Sequence, residues 1–250
     1  MKKFLIIGGD SKLAKCFGRI FEEQSLRLSK RECDITSEKS LRKAISKFSG
    51  KYVLNCAAIT NIEVCEQQPL ECFKVNTFGV YLLNEICQEN NKKLIHLSSN
   101  YAVSPMNNYG WSKYLSEKVV SKNFLVIRTS FYSNDFYIIK NLSEGKKTNV
   151  YENLTFNPIS TVTLAKEIKA NLSRKGVLNL FSSKKTSYLE FARLYCDIFG
   201  INKNLIRPAR YKNEKIKRPR NSFIKSSKTI NIRTDMIEFK KFCGSYNKRT

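Results

Sequence analysis

The feature that most constrains this chain is its opening unit. Phe4-Leu5-Ile6-Ile7 is a continuous apolar run stopped by Gly8-Gly9, and Leu13, Phe17, Ile20 and Phe21 follow at the spacing of one helix face. A strand that is apolar at every position is covered on both sides, the condition of a parallel sheet sandwiched between helices. The unit then recurs. Leu26-Arg27-Leu28 reads as a second strand. Leu41, Ala44, Ile45 and Phe48 place a helix over 37–49, with Thr36 or Ser37 as its N-cap. Tyr52–Asn55, Lys93–Leu97 and Phe124–Ile127 read as further strands, alternating with helices over 69–90 and 109–121. Repeated βα alternation predicts an α/β protein with a doubly wound parallel sheet.

Beyond Arg128 the rhythm loosens. The stretch 131–160 is polar and irregular, 161–173 reads as a helix, Val177–Phe181 as a strand and 187–199 as an amphipathic helix. The expected division is a first domain of residues 1–132 plus about 161–181, and a smaller lobe of about 133–160 plus 182–250. Residues 202–233 carry eleven Lys/Arg and a single acid, Glu214, supplying +10 of the chain's +24.

That charge attracts anionic partners such as phosphorylated small molecules or nucleic acid, although a Lys- and Asn-rich chain also follows from an AT-rich genome. With 42% hydrophobic and 26% charged residues, wholesale disorder is excluded. Eight cysteines form no CxxC pair and His96 is the sole histidine, so no metal site is expected. Phe4–Ile7 is too short for a secretory leader and no stretch is long enough to span a membrane. Reduced thiols and a cytoplasmic location are the expectation.

Two motifs carry chemistry. The first βα turn, Gly8-Gly9-Asp10-Ser11-Lys12-Leu13-Ala14, puts Gly8, Ser11 and Ala14 where a dinucleotide fingerprint needs small residues. Tyr109 and Lys113 form a Y-x-x-x-K pair on one helix face, where an ammonium lowers a phenol's pKa by favouring phenolate. The pair opens the helix after the strand that ends in Ser98-Ser99, and strand carboxyl ends are where open α/β sheets bind ligands.

With Cys33–Thr36, Leu54–Thr60, Val75-Asn76, Ser98–Tyr101, Arg128–Tyr132 and Arg218–Ser222 added in order, the chain resembles the extended short-chain dehydrogenase/reductases of the dTDP-4-dehydrorhamnose reductase type. The resemblance spans residues 4 to about 228. It implies a Rossmann-type sheet with a C-terminal substrate lobe, and an NADPH-dependent 4-ketoreductase of a nucleotide-linked 4-keto-6-deoxyhexose that serves deoxysugar and surface-glycan synthesis. Tyr109 would donate the proton, Lys113 would hold the nicotinamide ribose, and Ser99 would bond the substrate oxygen. Gly8, Ser11, Lys12 and Leu13 would meet the pyrophosphate. Asp34 and Ile35 would flank the adenine, and Ala57, Ala58 and Ile59 would line the channel, with Asn76 and Ser98 beside them. Thr60, Ser99, Asn100, Tyr101, Phe131, Asn157, Arg218 and Asn221 would shape the substrate side, Arg218 as a diphosphate clamp.

Ser29-Lys30-Arg31 after the second strand favours the 2′-phosphate of NADPH, with NADH as second choice. Asn100 and Tyr101 replace the acidic pair of the dehydratases, and His96, inside a strand, reads as structural rather than as an epimerising acid. Three features depart from the family pattern: Ser11 and Ala14 in place of glycines, a Ser99–Tyr109 separation of only ten residues, and the unusual Ala102–Pro105 stretch. Rival readings are another nucleotide-sugar epimerase or reductase, a non-catalytic regulatory member, which would typically lose Tyr109 or Lys113, and a nucleic-acid binder built on 202–233. A homodimer is compatible with the resemblance, and no membrane partner is expected.

Overall fold

The computed structural model describes residues 2–212 and 216–244, so Glu214, named above, lies outside the described residues. The chain forms two compact units, Met1–Arg128 with Ile168–Leu178, and Thr129–Glu167 with Asn179–Thr250. Residues 129–132, 161–167 and 179–181, expected in the first unit, fall in the second.

Chain order opens with β1 (Phe4–Ile7), α1 (Lys12–Ile20), β2 (Ser25–Leu28), α2 (Glu38–Ser46), β3 (Tyr52–Asn55), α3 (Ile62–Gln67), α4 (Pro69–Phe73) and α5 (Gly79–Glu89). It continues with β4 (Lys93–Ser99), α6 (Asn108–Val119), β5 (Leu125–Thr129), β6 (Phe131–Tyr132), α7 (Tyr137–Ser143) and β7 (Thr148–Tyr151). Next come β8 (Thr155–Phe156), β9 (Ile159–Ser160), α8 (Thr161–Ala170), β10 (Gly176–Leu180) and β11 (Thr186–Ser187). The last elements are α9 (Tyr188–Phe199), β12 (Ile206–Ala209) and α10 (Ile232–Gly244).

The main sheet has the order β10-β5-β4-β3-β1-β2. β1 pairs in parallel with both β2 and β3, and β3 with β4. Every residue of β1 is buried, as its unbroken apolar run requires. Leu5, Ile7, Val53, Leu94 and Val126 of the strands close against Leu41 and Ile45 of α2 and Val80, Leu83 and Ile86 of α5. Local signals set the helix ends: Ser37 caps α2 by accepting from the Ser40 amide, and Ser187 and Glu190 make a reciprocal capping box on α9. Gly200, at φ +72°, ends α9 in the left-handed conformation.

The helix expected over 69–90 is interrupted. Pro69 starts α4, and a π-helical turn at Lys74–Phe78 separates it from α5. Apolar spacing does not register one extra residue in a turn, so the sequence reads straight through it. The turn aims Asn76 inward: its Oδ1 accepts from the Ile59 amide at 2.8 Å and its Nδ2 donates to the Ile59 carbonyl at 2.9 Å and to Ser112 Oγ at 3.0 Å. The short strands and α7 within 131–160 are too brief for a period to announce them, whereas α10 carries Ile232, Met236, Phe239 and Cys243 at helical spacing and is open to being read.

In the second unit α10 is tied down by a buried carboxylate. Asp235 accepts from Tyr132 Oη at 2.7 Å, from the Ser160 amide at 2.8 Å and from Ser160 Oγ at 2.6 Å. Asp235→Ala strands these donors at about 1–3 kcal/mol each, whereas Asp235→Asn keeps part of the set. In denaturant unfolding the Ala variant is expected to lose about 3–5 kcal/mol and the Asn variant clearly less. Equal losses would contradict this account of the anchor.

Candidate active site

β1 leads on to β2 on one side while β3 pairs on its other side, so the winding reverses between β1 and β3. Their carboxyl ends open a cleft of about 370 Å³. Gly8 forms its floor at φ +78°, where a Cβ would lie 2.5 Å from the Ala57 amide nitrogen. Only glycine fits there. Ser11, by contrast, has an ordinary φ of −64° and caps α1 by accepting from the Ala14 amide, so that position needs no glycine conformation. Ala14 is fully buried, a small residue where the helix meets the sheet.

The structure brings Gly8, Ser11, Lys30, Asp34, Ile35, Ala57, Ala58 and Ile59 together along the cleft. Asp10, Cys33, Cys56, Glu71 and Val75 join them. Cys33 and Cys56 adjoin residues the sequence singles out, but nothing in the sequence points to Glu71. Asp34 Oδ1 accepts from the Thr36 amide and hydroxyl, both at 2.9 Å. These bonds, with Lys30 and Lys74 nearby, outweigh burial and hold the carboxyl below its ordinary range.

Other expected cofactor residues are placed differently. Leu13 is buried in the core, so only its backbone, in the first turn of α1, is available to an anion, while Lys12 beside it is exposed. The Ser29 amide and hydroxyl both donate to Glu32 Oε2, at 2.8 and 2.7 Å, and Arg31 is exposed and off the cleft lining. Asn76 spends its amide on Ile59 and Ser112, and Ser98 Oγ donates to Glu117 Oε1 at 2.5 Å. The first braces Ile59 on the cleft wall, and the second ties β4 to α6.

Tyr109 and Lys113 sit on the first two turns of α6, which Asn107 caps by accepting from the Gly110 amide at 2.8 Å. Tyr109 lies within hydrogen-bonding reach of Ser99 at the end of β4, and its ring packs edge-on against Tyr101 with centroids 5.7 Å apart. Burial pushes the Tyr109 phenol up to about 12, against the opposing pull of Ser99. The lowering expected from Lys113 does not govern this arrangement, because Lys113 Nζ donates to the Leu97 carbonyl at 2.6 Å. Burial in turn brings Lys113 down to about 8. Tyr109 therefore keeps its proton at neutral pH, the form from which a proton can be given to a developing alkoxide.

His96 is fully buried and bonded at both nitrogens, 3.2 Å from Asn55 Nδ2 and 2.9 Å from Ser116 Oγ. Asn55 Oδ1 accepts from the Ala57 amide, so Asn55 Nδ2 donates to His96 Nδ1 and the ring is neutral with its proton on Nε2. Burial holds its pKa well below the ordinary value.

Among residues expected on the substrate side, Thr60 is exposed, while Asn100 Oδ1 accepts from Ser99 Oγ at 3.1 Å. Phe131, Asn157, Arg218 and Asn221 belong to the second unit. Asn157 is fully buried, and its Nδ2 donates to the Ser182 and Ile224 carbonyls, both at 2.8 Å. Its side chain thus braces the 222–226 segment. Asn221 Oδ1 accepts from Thr155 Oγ1 at 3.0 Å and from the Phe223 amide at 3.2 Å. Arg218 lies near Tyr137 and opposes the rise in that phenol's pKa that burial causes.

The cleft, its glycine floor and the Ser-Tyr-Lys set describe an arrangement that known proteins share. A family model described as RmlD substrate binding domain matches residues 1–243. The chain belongs to the RmlD substrate binding domain family. It is by that membership an oxidoreductase of the extended short-chain dehydrogenase/reductase class. Among RmlD-family relatives, a dTDP-4-keto-6-deoxy-D-glucose reductase from Streptomyces niveus is 25% identical over 217 residues, covering 76% of this chain and 75% of that protein. In three dimensions the chain matches a dTDP-4-dehydrorhamnose reductase from Clostridium acetobutylicum with a TM-score of 0.88 at 20% identity, covering 98% of this chain and all of the other. The Bacillus anthracis dTDP-4-dehydrorhamnose reductase, solved in complex with NADP, gives 0.87 at 20% identity over 97% and 100% of the two chains. Among the described residues no helix is long and apolar enough to cross a membrane.

Proposed function

We propose that this RmlD-family chain reduces the 4-keto group of a nucleotide-linked 4-keto-6-deoxyhexose with NADPH, supplying a deoxysugar for glycan synthesis. The observation that carries the reading is Tyr109, protonated and in reach of Ser99, on the same helix face as a buried Lys113. The cleft fits a dinucleotide. Gly8 leaves room for a backbone approach that any Cβ would fill, and the first turn of α1 offers the Lys12 and Leu13 amides to a pyrophosphate. Asp34 and Ile35 suit the adenosine end, and Lys113 suits the nicotinamide ribose.

When bound, NADPH supplies the hydride. Ser99 Oγ holds the substrate carbonyl oxygen, and the Tyr109 hydroxyl gives its proton to that oxygen as negative charge develops there. Lys113, charged, stabilises the phenolate left on Tyr109. Asn76 keeps Ile59 and α6 in register by bonding both.

Preference for NADPH rests on Lys30 at the cleft wall. Lys30→Ala is expected to weaken NADPH binding about tenfold or more while changing NADH binding little, by analogy with other single phosphate contacts worth about 1.5–3 kcal/mol. Arg31→Ala, off the lining, has the smaller effect. Titration of both variants with both cofactors checks this, and equal losses for NADPH and NADH in Lys30→Ala would defeat the specificity argument.

A further inference from the structure

Beneath the Tyr109–Lys113 pair, three consecutive residues of β4 are stitched to α6. His96 meets Ser116 through its side chain, the Leu97 carbonyl takes the Lys113 ammonium, and Ser98 Oγ donates to Glu117. Glu117 stands one helical turn beyond Lys113 on the same face. Its side chain is only 5% exposed, an unusual place for a carboxylate. Arg128, at the end of β5, grips it with both arms, Nε to Oε1 at 2.9 Å and Nη2 to Oε2 at 2.6 Å. Both of its oxygens are thus paired with the guanidinium.

We infer that Glu117, held by Arg128 and Ser98, is a positioning residue that keeps the buried Lys113 charged and aimed at the cleft. Other groups facing Lys113 are the Cys72 thiol of α4, the Cys56 thiol after β3 and neutral His96 on β4. Of these neighbours Glu117 is the one gripped by a guanidinium, and the Cys72 thiol, drawn down to about 7 by its hydrogen bond with Cys65, is the next influence on Lys113. Burial lowers Lys113, Glu117 is the largest influence opposing it, and the balance leaves the ammonium near 8. Without Glu117 the lysine would lose its proton within the physiological range. The consequence for catalysis rests on the proposed reductase reading, but the effect on Lys113 itself does not.

The test reads Lys113 directly. The chain is labelled with lysine carrying ¹³C at Cε, the Lys113 resonance is assigned by its loss in Lys113→Met, and its shift is followed against pH. In Glu117→Gln, which retains acceptor and donor capacity without charge, the Lys113 midpoint is expected to fall by about one pH unit or more, a tenfold change in protonation ratio. Glu117→Asp should restore it toward wild type. Arg128→Met releases the carboxylate that Arg128 holds in place and should likewise lower the midpoint. This second variant keeps the test decisive if Glu117→Gln does not fold by circular dichroism. An unchanged midpoint in Glu117→Gln, or in Arg128→Met where Glu117→Gln does not fold, overturns the inference. In NADPH oxidation assays the loss of activity at high pH should begin correspondingly lower in Glu117→Gln, with Glu117→Asp rescuing it. A chain that shows no turnover at all would count against the reductase reading and leave the titration result standing.

Discussion

Tyr109→Phe is expected to lose roughly 10²- to 10⁴-fold in turnover, the usual contribution of a positioned general acid. NADPH should still stabilise its fold. The substitution deletes one oxygen and leaves the ring packed edge-on against Tyr101, so the wall of the site survives. What disappears is the proton that Ser99 helps to aim and that burial keeps on the phenol at neutral pH. Thermal shift measures the binding half of this expectation. At about 100 times its dissociation constant a ligand adds about 2.7 kcal/mol, and wild type and variant should gain alike. NADPH oxidation measures the other half. Normal turnover by the Phe variant would remove Tyr109 from the chemistry, and loss of cofactor stabilisation would show that its role is structural.

Gly8→Ala is expected to be the most damaging single methyl in the chain. The added carbon would stand 2.5 Å from the Ala57 nitrogen and 2.7 Å from its Cα, both backbone atoms with nowhere to go. The φ of +78° adds its own cost of about 1–3 kcal/mol for a residue with a Cβ. With the collision included, a loss of about 3–5 kcal/mol is expected. In a chain of this size that lowers the melting temperature by roughly 6–20 °C. The same methyl occupies the space through which the cleft admits a dinucleotide, so NADPH should add nothing to what remains. Ser11→Gly is the contrasting change. It removes a side-chain cap and costs only a few tenths of a kcal/mol, because glycine is itself a tolerated N-cap. A Gly8→Ala protein that melts like wild type and still binds NADPH would contradict the reading of the glycine floor.

The parts of this fold that were legible in the sequence are those where chemistry repeats at a fixed spacing. The all-apolar run at Phe4–Ile7, the stop at Gly8 and the helical spacing of Leu13 and Phe17 name a βα unit without ambiguity. Tyr109 and Lys113 four residues apart name a helix face, and the same spacing extended once more reaches Glu117. That third residue was visible in the sequence but meant nothing until Arg128 and Ser98 were found around it. Asn76 was recognised by its motif, yet its partners Ile59 and Ser112 come from elsewhere in the chain, and the π-helical turn that delivers it leaves no periodic trace. Ser29 illustrates the opposite outcome: a hydroxyl expected on a phosphate is bonded to Glu32, three residues on, a local turn that composition cannot reveal. Charge was the least informative feature. The basic run at 202–233 marks the second unit but does not say which of its cations meets a ligand.

Mixing the purified chain with NADPH and a freshly prepared dTDP-4-keto-6-deoxyhexose, and following NADPH consumption, decides whether the chain is a 4-ketoreductase. Consumption is expected to depend on the ketone, to yield the 4-hydroxy sugar nucleotide in equal amount, and to be lost in Tyr109→Phe. If NADPH stabilises the protein but no nucleotide-linked 4-keto sugar drives its oxidation, the chain binds the cofactor without performing this reduction, and the account is contradicted.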